Sequence, residues 1–152
     1  MVNVHTLGGI AMMQAAREAM GGRKNRPALL GVTILTSMDA AALRRVGVVG
    51  PPATRVVALA RLAKQAGLDG VVASAHEAQA IRRACGPKFL IVVPGVRPAS
   101  ASLNDQSRVA TPGEAIRAGA SYLVLGRPIT GASNPREAAL SIAREIAETG
   151  SR

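Results

Sequence analysis

FLIVVPGVRP, residues 89–98, is an apolar run that breaks into Pro94 and Gly95 and then presents Arg97. LVLGRPIT, residues 123–130, repeats the pattern thirty positions later: three apolar residues run into Gly126, Arg127 and Pro128. Short apolar runs ended by Pro or Gly read as buried strands. A buried strand has no structural need of a guanidinium at its tip. Two arginines at two strand exits therefore ask to be explained together.

The chain around these two stretches alternates in the same way. Strands are predicted at 2–4 (VNV), 28–35 (ALLGVTIL), 70–74 (GVVAS), 88–94 (KFLIVVP) and 121–126 (SYLVLG). Helical spacing occupies 9–20, 39–47, 52–67, 76–86, 111–119 and 134–148, and 96–110 reads as a polar loop. Asp39 is placed to cap a helix, and Thr111-Pro112 and Asn134-Pro135 are helix starts. Gly21-Gly22 and Gly67 are helix stops. Each of the five strands is followed by one or two helices, and the strands alternate little. That is the pattern of a parallel sheet covered on both faces. Repeated βα units allow two α/β architectures, a doubly wound sheet or a (β/α) barrel. No Gly-x-Gly-x-x-Gly follows the first strand and no Walker motif is present, which weakens the dinucleotide-binding alternative.

At 152 residues and 48% hydrophobic, the chain is expected to form a single domain over 1–152 with a real core. No apolar run approaches the roughly 18–20 residues of a membrane span. The start, MVNVHT, does not read as a signal peptide. Cys85 is the one cysteine, so no disulfide framework and no metal cluster are expected, and the expected compartment is cytoplasmic. The formal net charge of +10 raises a nucleic-acid reading. Against it, the excess is dispersed arginine, and Phe89 and Tyr122 are the only aromatics, so bases have nothing to stack on. A phosphorylated small molecule suits the charge equally well.

Polar residues gather at the strand exits. They are His5-Thr6, Thr36-Ser37, Ser74, Pro94 to Arg97, and Gly126-Arg127. At the opposite ends stand Asp69, Lys88 and Ser121, which read as an ordinary solvated rim. Barrel enzymes carry their sites at the C-terminal ends of the strands, often with a phosphate held by the loops after the last two strands. Arginine suits that task because its planar fork binds two phosphate oxygens at once. Gly95 and Gly126 let backbone come close to a ligand. Plainer readings exist for each residue. An arginine after a strand can be a solvated loop residue, His5 a structural histidine, and Thr36 or Ser37 a helix cap. Gln106 can be a solvated loop side chain, and Cys85 and Met12-Met13 packing.

Taken together, MVNVHTLGG with MMQAAREAM, LLGVTILTSM, LDGVVASAHEA and VVPGVRP…NDQSRVATPGEAIRAGASYLVLGRPIT resemble the C-terminal two-thirds of the orotidine 5′-phosphate decarboxylase family, bacterial type, over essentially the whole chain. The resemblance implies a TIM barrel, of which about five of eight (β/α) units, strands 4 to 8, are present. It implies a carboxy-lyase of pyrimidine biosynthesis that converts orotidine 5′-phosphate to UMP and CO2 with no cofactor and no metal, normally as a homodimer. Matched by motif, substrate-binding roles fall on Thr36 near the pyrimidine or ribose, and on Arg97, Gln106, Gly126 and Arg127 around the phosphate. The family usually has Gly-Asp-Gln where this chain has Asn104-Asp105-Gln106.

The family's catalytic Asp-x-Lys-x-x-Asp signature does not occur in these 152 residues. Its lysine protonates the carbanion left at C6 when CO2 departs, a task suited to a cationic donor. Lys24, Lys64 and Lys88 fall in a loop, in a helix and at the N-terminal end of a strand. The expectation is a chain that holds substrate without decarboxylating it, lacking the catalytic strands upstream of Met1. Five strands leave two open edges, at 1–5 and 121–126. Two alternatives stay open: a non-catalytic phosphate- or nucleotide-binding partial barrel, and another sugar-phosphate barrel enzyme.

Overall fold

The computed structural model describes residues 1–22, 25–98 and 110–150. It holds one parallel sheet in the order β1-β2-β3-β4-β5, formed by Val2–His5, Leu29–Val32, Gly70–Val72, Leu90–Val93 and Tyr122–Leu123. Every strand pairs with its successor in the chain. A doubly wound sheet reverses its strand order at a switch point. The unbroken order here is that of a (β/α) barrel wall, five units long.

The helices are α1 (Gly9–Ala19), α2 (Ala40–Arg45), α3 (Pro52–Gln65), α4 (Ala75–Cys85), α5 (Pro112–Arg117), α6 (Arg127–Thr130) and α7 (Pro135–Gly150). α1 packs on α3, α3 on α4, α4 on α5 and α5 on α7, which makes one layer along the sheet. Between layer and sheet lies the core, with Met13, Val56, Ala60, Ala63, Val71, Ala78, Ile81, Ile91, Val93 and Ala115 each at most 1% exposed. Leu30, Val32 and Val92 are also buried but stand outside that cluster. They alternate in the strands with Leu29, Gly31 and Ile91, so they share the opposite face of the sheet. Two apolar faces explain why the strands read as continuous runs.

The caps follow the sequence closely. Asp39 accepts from the backbone N–H of Ala42 at 2.7 Å and opens α2. Thr111 and Glu114 form a reciprocal capping box at the start of α5. Asn134 accepts from the N–H of Glu137 at 3.2 Å and opens α7. The strands are shorter than their apolar runs suggest. In particular, 121–126 yields only Tyr122–Leu123, and Arg127 begins a four-residue helical turn where the sequence predicts no helix.

The N-terminal rim is not the simple solvated rim expected. Arg26 donates to both carboxylate oxygens of Asp69, at 2.6 and 2.7 Å, and Asp69 also accepts from the N–H of Leu29 at 2.7 Å. The Arg26 hydrogen bonds, chiefly, hold the Asp69 carboxyl below its ordinary value. Ser121 Oγ accepts from the N–H of Ile91 and from Arg82, at 3.1 Å each. Local pattern could not show this, because each partner comes from a distant part of the chain.

Among the described residues, β1 and β5 pair on one side only. Their burial falls away accordingly. β2 is buried throughout, whereas Val2, Asn3 and His5 of β1 and Tyr122 of β5 are exposed.

Candidate functional site

In this parallel sheet all five exits lie at one end. β4 and β5 are in register with Val93 opposite Leu123, and the N–H of Val124 donates to the carbonyl of Val93 at 2.9 Å. Arg97 stands four residues beyond Val93 (97 − 93) and Arg127 four beyond Leu123 (127 − 123). The two arginines therefore leave adjacent strands at the same step.

Their surroundings differ. Arg97 is 5% exposed. One of its terminal nitrogens, Nη1, donates to the carbonyl of Val96 at 2.9 Å, while Nε is buried with no hydrogen-bond partner. Among the described residues no carboxylate forms an ion pair with it. A buried cation without a counter-charge is costly, and a buried orphan donor adds to that cost. The backbone of Arg97 is set by Gly95, whose φ of +74° is open to glycine at little cost, and by a hydrogen bond from the Arg97 N–H to Ala110 at 3.0 Å.

Arg127 and Gly126 are exposed. Gly126 accepts from Ile129 and Thr130 at 2.8 and 3.1 Å, which closes the helical turn that carries Arg127. A side chain added at Gly126 would meet nothing within 4 Å.

Thr36 is buried at 8% exposure, in a turn closed by Met38 N–H on the carbonyl of Leu35 at 3.0 Å. It does not cap α2, since Asp39 does. Gln106, with Asn104 and Asp105, lies outside the described residues. His5 ends β1 exposed. Cys85 is buried in the core cluster, and burial pushes its thiol up.

Glu77 at this same end was not foreseen. It stands in the first turn of α4 behind the Ser74 cap and is 4% exposed. The AHEA stretch gave only a helical signal, and burial of its glutamate depends on packing. Lys64 and Lys88 lie at the other end of the strands. There, with Arg26, Asp69, Cys85 and Phe89, they line an open concavity of about 790 Å³. That concavity is remote from the exits, and the arrangement of Arg97, Thr36 and Arg127 does not involve it. Among the described residues no cluster of three or more metal-binding side chains occurs. No described helix is long and apolar enough to cross a membrane.

Residues 1–142 match the sequence profile described as "Orotidine 5'-phosphate decarboxylase / HUMPS family".

The chain belongs to this family.

It is 52% identical over 146 residues to the orotidine 5′-phosphate decarboxylase of Nitrosococcus oceani, covering 96% of this chain and 63% of that protein. It is 56% identical to that of Moorella thermoacetica, covering 96% of this chain and 60% of the relative. The crystal structure of the Lactobacillus acidophilus decarboxylase superposes with a TM-score of 0.78 at 38% identity, over 95% of this chain and 62% of that one. The chain thus spans less than two-thirds of the length of these relatives. Membership in the orotidine 5′-phosphate decarboxylase family makes the five-stranded sheet a portion of a TIM barrel, and Arg97 and Arg127 follow β4 and β5 of it.

Proposed function

We propose that this chain forms the substrate-holding part of an orotidine 5′-phosphate decarboxylase, the lyase that releases CO2 and UMP. Arg97 and Arg127 grip the 5′-phosphate together with Gln106 of the following loop. Gly126 leaves room for that phosphate, and Thr36 contacts the nucleoside. The observation that carries the reading is Arg97, a buried guanidinium with an orphaned Nε and no acid partner among the described residues. A phosphate dianion supplies both the missing charge and the missing acceptor.

Decarboxylation requires an Asp and Lys set that the 152 residues do not contain. Lys64 sits on α3 and Lys88 precedes β4, both away from the exits. The chain alone therefore binds nucleotide without releasing CO2. The complete enzyme acts as a cytoplasmic homodimer on a small-molecule substrate, with no cofactor, metal or nucleic acid.

The test is calorimetric titration of UMP into the chain and into Arg97→Ala, beside a CO2-release assay with orotidine 5′-phosphate. Millimolar-or-better binding that disappears in the variant supports the reading. Equal affinity in both proteins sinks the phosphate assignment, and CO2 release by the chain sinks the division of labour. The family description also joins a second name, HUMPS, to the decarboxylases. A sugar-phosphate barrel enzyme that shares only the phosphate grip would bind inorganic phosphate and UMP equally.

A further inference from the structure

The exits of β1 and β2 share a device that the substrate grip does not explain. Thr6, 1% exposed, donates its hydroxyl to the carbonyl of Val32 on β2 at 2.9 Å. Thr33, 2% exposed, donates its hydroxyl to the carbonyl of Val72 on β3 at 2.8 Å. The N–H of Thr33 reaches the same carbonyl at 3.1 Å. A valine would fill either position at nearly the same volume, so burial alone does not call for a hydroxyl. A buried hydroxyl is unfavourable unless bonded, and here both are bonded across strands.

Thr33 lies three residues before Thr36. From this pin the chain runs through Ile34, buried in the core at 3% exposure, into the turn that Met38 closes on Leu35. The far side of the turn is held by Asp39 at the start of α2. Thr36 is thus slung between two fixed points, and Thr33 is the buried one. With two donors on one carbonyl, the backbone and the stiff χ1 of a β-branched side chain are set together.

We infer that Thr33 is a positioning residue that sets Thr36 against the nucleoside of the bound nucleotide, through its hydroxyl bond to the carbonyl of Val72. This rests on the substrate-holding role proposed above for Thr36.

The experiment titrates UMP and, separately, inorganic phosphate into the wild-type chain, Thr33→Val, Thr33→Ser, Thr36→Ala and the double variant Thr33→Val/Thr36→Ala. Thr33→Val is expected to weaken UMP about three- to tenfold, the effect of one neutral hydrogen bond. Inorganic phosphate, held by the arginines, is expected to bind as before. Thr33→Ser keeps the hydroxyl and restores UMP affinity. The double variant loses no more than Thr36→Ala alone, because both changes act through one contact. UMP binding unchanged in Thr33→Val overturns the inference. So does a loss of UMP and phosphate in equal proportion, which marks a general loosening of the fold. Should Thr36→Ala bind UMP like wild type, the inference falls while the arginine grip stands. If the wild-type chain binds neither ligand, the substrate-holding reading itself is refuted, and this inference with it.

Discussion

The backbone N–H of Arg97 donates to the carbonyl of Ala110 at 3.0 Å. One bond joins a residue four beyond the end of β4 to the residue just before the α5 cap, and so fixes the backbone of a buried guanidinium. The side chain above it has an orphaned Nε. Replacing Arg97 should therefore separate binding from stability. Arg97→Met is expected to lower UMP affinity by about 10- to 100-fold, the range of a charge-assisted hydrogen bond or two. Thermal unfolding of the same variant should stay unchanged or move upward, since a buried charge with no carboxylate partner among the described residues is removed. A variant that unfolds earlier yet binds normally would show a structural cation instead.

Arg127 occupies the matching step on β5 but is exposed on a short helical turn. Its contribution is screened by water and salt. Arg127→Ala is expected to weaken UMP about threefold to tenfold at low ionic strength, with the difference shrinking as salt is added. In the decarboxylase proposed above the same change should raise KM and also lower kcat, because grip on a remote phosphate can be used at the reacting centre. Salt-independent affinities in both proteins argue against the assignment.

The two exit glycines should respond differently to alanine. At Gly95, with φ of +74°, Gly95→Ala is expected to destabilise the chain by about 1–2 kcal/mol, the cost of holding a side chain in left-handed backbone. At Gly126 no atom lies within 4 Å of an added Cβ and φ is negative, so Gly126→Ala should cost less stability than Gly95→Ala. If phosphate occupies that space, its affinity for UMP falls. Urea midpoints and calorimetry on the pair distinguish a conformational glycine from a ligand-facing one.

Arg82 holds the opposite rim. Its guanidinium donates to the carbonyls of Gly86, Pro87 and Phe89 at 3.0, 2.8 and 2.6 Å, and to Gly119 at 2.7 Å. It thereby ties the end of α4, the approach to β4 and the approach to β5. Arg82→Leu leaves these carbonyls without their charged donor and should cost about 2–4 kcal/mol in urea unfolding. A loss under half a kcal/mol, on the order of a surface change, would contradict the role.

Asp69 gives a pH signature. Arg26 above all, and the Leu29 N–H, hold its carboxyl below the ordinary 3.8. The folded chain therefore binds fewer protons than the unfolded chain as pH falls past that value. The stabilisation is fully present above pH 3.8 and is lost as pH drops through the lower folded value. Asp69→Asn should unfold earlier than wild type at neutral pH, and the gap should close in strong acid. A gap that persists unchanged to pH 2 would mean that packing, not charge, is responsible.

Much of the architecture was legible from short stretches. The strands and long helices lie within a few residues of the runs that suggest them, and Asp39, Thr111 and Asn134 cap as read. Caps and periodicity are local, so a few neighbouring residues decide them. The turn at Arg127–Thr130 was missed because GRPIT carries loop residues whose helical closure depends on the carbonyl of Gly126. Glu77 and Thr33 were passed over as ordinary helix and strand residues. Their burial comes from elements that meet only in the folded chain.

By itself, the sequence determined a parallel βα wall, apolar on both faces, with arginines leaving its last two strands. It could not rank those arginines, since PGVRP and LGRPIT look equivalent. Tertiary structure made Arg97 a buried cation with no carboxylate partner among the described residues, and left Arg127 exposed. It also decided for an unbroken strand order over a doubly wound one, and turned Asp69 and Ser121 from rim residues into cross-strand ties. Patterning specifies which elements form. Burial and hydrogen-bond partners are set by residues far apart in the chain, and those determine which of the two arginines is buried.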